Sequence, residues 1–117
     1  MTPAETIRET LRADLKSAML GKDRERAALI RTLIAAIDNA EAVEATAEQQ
    51  SETFRKLGDP SGEVARRELT AQDIAAVLER EVASRLEAAA QYRAGRIEAE
   101  AARLEGEADT VRSYMQM

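Results

Sequence analysis

The chain has 117 residues, the size of one domain with a modest core. Hydrophobic residues make up 44% of it but aromatic residues only 3%, so any core is thin; charged residues make up 33% and are mixed in sign, as in helical bundles. The absence of Cys and His excludes a disulfide framework, a thiol nucleophile, a zinc knuckle, the commonest general base and the usual Glu-x-x-His di-iron site, and the net charge of -5 disfavours indiscriminate binding to bare phosphate.

Charge is not spread evenly. Residues 1–40 hold 7 basic and 6 acidic side chains, residues 41–65 hold 2 and 6, and residues 66–117 hold 8 and 10. A cationic surface therefore belongs on the first third of the chain or at the tip of the last hairpin. Met1 to Leu20 is punctuated by charge where a signal peptide would be apolar, and no apolar run is long enough to span a bilayer. The expected location is cytoplasmic.

The first helix is predicted over about 3–20, with Thr2 as cap and Pro3 at the first helical position. Ile7, Leu11, Leu15, Ala18 and Met19 form its apolar stripe, and Gly21 ends it. Arg8, Arg12 and Lys16 fall four apart as a basic row, read as a solvated face partnered by Glu5 and Glu9.

Lys22, Asp23, Arg24, Glu25 and Arg26 form a charged link into a second helix over about 23–43, with Asp23 as its cap. Ala27, Ile30, Leu33, Ile34 and Ile37 carry the most hydrophobic stripe in the chain, which belongs at the centre of the fold. Arg31 lies beside it, either aimed at a partner or with its stem along the core edge. The spacing continues through Val43, Ala47, Phe54 and Leu57, which gives an alternative end at 57. A helix to Leu57 would be about 50 Å long at ~1.5 Å per residue, more than the other helices can cover. A short helix with residues 44–57 folded back is therefore the preferred reading; in the alternative, the end projects and exposes Phe54 and Leu57 for self-association.

Gly58, Asp59, Pro60, Ser61 and Gly62 open an irregular loop over 58–68. A third helix follows over about 70–94, capped by Thr70 with Asp73 in its first turn, and a fourth over about 96–115. Ile74, Val77, Leu78, Val82, Leu86 and Ala89 make the stripe of one arm; Ile97, Ala101, Leu104, Ala108, Val111 and Met115 make the seam of the other. Gly95 is expected to supply the left-handed residue that closes the third helix, and the short turn makes the two arms antiparallel neighbours. The fold class expected is therefore all-α, a four-helix bundle forming one domain over 1–117.

No catalytic constellation is visible. Ser17, Ser51, Ser61, Ser84 and Ser113 have no His to activate them, the glycines are scattered, and acidic pairs such as Glu79 with Glu81, or Glu105 with Glu107 and Asp109, read as solubilising charge. Phe54, Tyr92 and Tyr114 are the only aromatics, and Tyr92 follows the buried stripe, which leaves little surface for base stacking. No cofactor and no metal site are expected.

Four stretches taken together resemble the GatB/YqeY family: the first helix with Leu11, Asp14, Leu15, Lys16, Ala18 and Met19; the run Leu29, Ile30, Arg31, Thr32, Leu33 to Ile37, Asn39, Ala40, Glu41; the approach Glu68, Leu69, Thr70; and the tip Tyr92, Arg93, Ala94, Gly95, Arg96. The resemblance covers most of residues 8–115. It implies a four-helix bundle similar to the helical tail of the GatB subunit of glutamine-dependent aminoacyl-tRNA amidotransferase, a tail that helps hold tRNA. It also implies a carbon-nitrogen ligase label with glutamine as amido-N-donor. That activity is not carried over, because in the enzyme the chemistry resides outside the tail and this chain has no residues for it. Family members commonly continue past a Tyr-Leu-Pro sequence into a three-helix module, whereas here Tyr114 is followed by Met115, Gln116 and Met117; the polar stretch from Glu44 to Ala65 is also longer than the common form.

The expected function is a non-catalytic helical domain binding tRNA or a partner in tRNA charging, through Lys22, Arg24, Arg26, Arg31, Arg93 and Arg96. The alternative is a self-associating or protein-interaction bundle that uses Phe54 and Leu57.

Overall fold

The structure, a computed structural model, describes the backbone of residues 1–55 and 68–116, with side chains in the first segment as far as Ala42. Four helices follow in order: α1 (Pro3–Leu20), α2 (Arg24–Arg55), α3 (Ala71–Ala94) and α4 (Glu98–Met115). Among the described residues there is no strand. α3 and α4 pack along most of their length as one antiparallel hairpin, α1 packs on α2 as the other, and the hairpins meet mainly through α2 on α3 and α1 on α3.

The ends form where local chemistry dictates. Thr2 and Glu5 cap α1 reciprocally: the Thr2 Oγ1 accepts the Glu5 amide at 3.2 Å and the Glu5 carboxylate accepts the Thr2 amide at 3.0 Å. Thr70 and Asp73 repeat this at α3, at 3.1 and 2.9 Å. Each box satisfies amides that a helix start would otherwise leave unpaired. Leu69, immediately before the Thr70 cap, and Ile74, four residues inside, are both buried, the positions of a hydrophobic staple. Asp23 caps α2 by accepting the Arg26 amide at 3.1 Å.

The core is one cluster, filled by Leu11 from α1, Ile30, Leu33 and Ile37 from α2, Leu69 before α3, Leu78 within it, and Val111 from α4. Besides Leu78 and Val111, the most fully covered residues of α3 and α4 are small: Ala89, Ala101 and Ala108. Small side chains at those positions let packed helices come close, which suits a chain this poor in aromatics.

Several expectations are corrected. α2 does not stop near residue 43 and fold back; it is helical to Arg55, about 20 Å beyond Ala42 at ~1.5 Å per residue. Met19 and Ile97, placed on buried stripes by spacing, are 55% and 51% exposed, because they lie at helix ends that the neighbouring helices do not reach. Arg8 is not on a solvated face. Its guanidinium reaches across to α2, 2.8 Å from both Asp38 and Glu41, and holds Glu41 in its buried position. Gly95 is not left-handed either: its φ is -84°, and the left-handed residue is Arg96, at φ 63°.

Candidate nucleic-acid interface

The cations singled out from the sequence fall around the two elbows, so their geometry begins with the turns. In the α1–α2 elbow the Asp23 amide donates to the Ala18 carbonyl at 2.8 Å and the Lys22 amide to the Met19 carbonyl at 3.1 Å. In the α3–α4 elbow the Ile97 amide donates to the Tyr92 carbonyl at 2.8 Å and the Arg96 amide to the Arg93 carbonyl at 3.0 Å. This is the same pair of bonds twice, the Schellman closure of a helix end. The closure requires one left-handed residue, and here it is Lys22 at φ 57° and Arg96 at φ 63°, each one position after a glycine with ordinary backbone angles. A side chain in that conformation costs about 1–2 kcal/mol, which glycine would avoid.

Both elbows lie at one end of the bundle. Pro3 and Ile7 of α1, Ala71 and Ile74 of α3 and Met115 of α4 line one apolar groove, so α1 and α3 start together and their elbows lie at the opposite end. There, Asp23 and Arg26 line a shallow pocket with Arg103 and Glu107 of α4. From Arg103 back to Arg96 is about 10 Å at ~1.5 Å per residue, so the α3–α4 elbow stands that far beyond the other.

The six candidates are differently placed. Lys22, Arg24 and Arg96 are exposed, and the side chain of none of the three has a hydrogen bond or ion pair with a described residue. Arg31 is exposed and rests its guanidinium 3.6 Å from the Met19 sulfur. Arg26 faces α4, where its charge acts on Tyr114. Arg93 is occupied: Glu105 and Glu98 both bind it, the latter at 3.0 Å, and those two hydrogen bonds raise its pKa. Arg12 and Lys16, left on the basic row once Arg8 is removed from it, are exposed and unpaired among the described residues, with Lys16 one turn before Leu20. Phe54 lies in α2 but its side chain is outside the described residues, and so is Leu57 altogether.

Away from the elbows Arg12 and Arg80 are exposed without a partner among the described residues, but three further arginines are neutralised within the fold. Arg85 joins Glu81 at 2.7 Å to Glu107 of α4 at 3.1 Å, Arg103 binds Glu100 and Glu107, and Arg112 reaches Asp109 at 3.3 Å. The acidic pairs read as solvent-facing charge thus include Glu81, Glu105, Glu107 and Asp109 as partners of arginine.

The apolar side of this surface was missed by spacing. Apart from Met1, the large hydrophobic side chains exposed among the described residues are Met19, Leu20, Tyr92 and Ile97, all in or beside the elbows. Tyr92 is 39% exposed and does not continue the buried stripe, so a ring stands free beside the cations. The signal available in the sequence was position: all four lie within three residues of a helix end, where no neighbour remains to cover a periodic residue.

No described group of three or more Asp or Glu is placed to hold a metal ion, and every buried side-chain nitrogen or oxygen among these residues has a hydrogen-bond partner. No described helix is long and apolar enough to cross a membrane. Comparison with family models, curated proteins and solved structures finds no match to this chain.

Proposed function

We propose that this chain is a non-catalytic helical domain that binds tRNA with the elbow end of its bundle. The observation that carries the reading is the division among its cations. Arg8, Arg85, Arg93, Arg103 and Arg112 are matched to carboxylates of the same chain, whereas Lys22, Arg24 and Arg96 cluster at the elbow end, exposed without such a partner; Arg12, Lys16 and Arg80 are also unpaired but lie along the faces of α1 and α3. Cations left unneutralised on an acidic protein form the local patch that releases counterions from a phosphate backbone, while the net charge of -5 opposes sliding contact with any polyanion. The resemblance to the GatB/YqeY family points to tRNA, or to the machinery that charges it, and to a role as a holder of substrate rather than a carbon-nitrogen ligase. A cytoplasmic location goes with this reading.

Titration of the full chain with unmodified tRNA tests it. With Lys22, Arg24, Arg31 and Arg96 on phosphates, the affinity falls about 50- to 150-fold between about 50 and about 200 mM salt. Absence of binding at the lower salt, or an affinity that ignores salt, removes the RNA reading.

The helical run of α2 to Arg55 supports a second reading, in which the end of that helix, with Phe54, makes a self-association contact; Leu57, the other residue expected there, lies outside the described residues. Light scattering on the wild type and on Phe54→Glu separates the two, since a dimer dispersed by the substitution belongs to the second.

A further inference from the structure

The two elbows share three features that a purely electrostatic tRNA contact leaves unexplained: a strained cation, a neighbouring glycine that does not relieve the strain, and exposed apolar side chains. We propose that the elbows form one composite surface selective for unpaired nucleotides, with Lys22 and Arg96 holding phosphates and with Tyr92, Ile97, Met19 and Leu20 offering faces to unstacked bases. This rests on the RNA reading above and names the kind of RNA it takes.

The physical case begins with the backbone. Two turns of the same hydrogen-bond pattern each place a long cation, not glycine, at the left-handed position, φ 57° at Lys22 and 63° at Arg96. Backbone strain of this kind persists where the side chain does something the fold does not need. Neither cation has a carboxylate partner among the described residues, so internal pairing does not account for them.

The chemistry of the surroundings then selects the ligand. A duplex presents phosphate and sugar to a protein surface, and cations alone suffice to hold it. Unpaired bases expose flat apolar faces that aromatic and other apolar side chains cover. Met19 and Leu20, 55% and 76% exposed, precede Lys22 in the first elbow, and Tyr92 and Ile97, 39% and 51% exposed, flank Arg96 in the second. Arg31 is held beside one of these apolar groups through the Met19 sulfur at 3.6 Å. The offset of about 10 Å between the elbows makes the surface a step rather than a flat patch, which suits a strand with splayed bases.

Competition on the full chain decides the matter. Labelled unmodified tRNA is displaced at low salt by a single-stranded oligouridylate of about 12 nucleotides, by a blunt RNA duplex of the same length, or by poly-glutamate. The single strand is expected to displace tRNA at least about tenfold more effectively than the duplex, with Tyr92→Ala abolishing that preference. Lys22→Gly and Arg96→Gly are each expected to weaken tRNA binding several-fold while the melting temperature holds or rises by a few degrees, a combination that misfolding does not produce. If tRNA binds but duplex and single strand compete equally, or both glycine variants bind as tightly as wild type, the selectivity is refuted while the RNA reading stands. Displacement by poly-glutamate as effective as by oligouridylate identifies an acidic protein as partner and overturns nucleotide recognition. If tRNA does not bind at all, the reading beneath the inference fails first.

Discussion

The Tyr114 hydroxyl donates a 2.5 Å hydrogen bond to the Asp14 carboxylate, tying the last turn of α4 to the middle of α1. The ring is buried and its partner half-buried, so the bond pins the second hairpin onto the first, with Arg26 of α2 close enough to act on the same hydroxyl. Burial, reinforced by the Asp14 hydrogen bond, pushes the Tyr114 pKa up from 10.0 to about 12.

A pH dependence follows from that shift. Because the folded form holds the Tyr114 proton more tightly than the unfolded chain, its contribution to stability is whole below about pH 10 and is lost as pH rises toward about 12. Thermal melts across that range should show the decline in the wild type and a shallower one in Tyr114→Phe. At neutral pH the variant should be less stable by about 1–3 kcal/mol, from losing a hydrogen bond to a charged acceptor.

Arg8 and Arg12 belong to the same basic row in sequence but should differ on substitution. Arg8→Ala removes the guanidinium 2.8 Å from both Asp38 and Glu41 and is expected to cost about 1–3 kcal/mol in denaturant unfolding, reduced from the fully buried case by the exposure of Asp38. Arg12→Ala, at an exposed site without a described partner, should fall within about 0.5 kcal/mol of wild type.

At the elbows, the glycines should tolerate substitution unequally. Gly95 has φ -84°, and a Cβ there meets nothing nearer than the Tyr92 carbonyl oxygen at 3.5 Å, so Gly95→Ala should be neutral or stabilising by up to about 1 kcal/mol. A Cβ on Gly21 comes 3.3 Å from the Ser17 carbonyl oxygen, so Gly21→Ala should be the less stable of the two by calorimetry.

The α3–α4 seam should resist enlargement. Ala101 and Ala108 are fully buried where the helices approach, and Ala108→Leu should destabilise by about 1–3 kcal/mol through overpacking, whereas Leu33→Ala should cost about 2–5 kcal/mol through a cavity. Chemical denaturation of both variants provides the comparison.

Much of this architecture is legible in the residues, because helix starts and stripes are local. Thr2, Asp23 and Thr70 cap as their side chains require, and Ile30, Leu33 and Ile37 are buried as their spacing requires. What spacing does not carry is where a neighbouring helix ends. Met19 and Ile97 keep the period yet stand in the open, and Leu29, outside the stripe, is buried. Glycine misled by one position at the second elbow: the hydrogen bonds put the left-handed angle on Arg96 although glycine is the commoner occupant of that place. Pairing was the least legible feature. Arg8 finds Asp38 and Glu41 rather than Glu5 or Glu9, Arg93 is taken by Glu98 and Glu105, and Asp14 meets Tyr114 across most of the chain, none of which follows from neighbours on one helix face.

The most direct measurement of the central claim is the affinity of the full chain for unmodified tRNA at low salt, compared across wild type, Lys22→Glu with Arg96→Glu, and Arg80→Glu as a control on an exposed face of α3. Elbow-directed binding predicts that the double reversal lowers affinity at least about a hundredfold while the control changes it only a few-fold. Equal losses in the two variants, or tRNA binding that survives the double reversal, would contradict it.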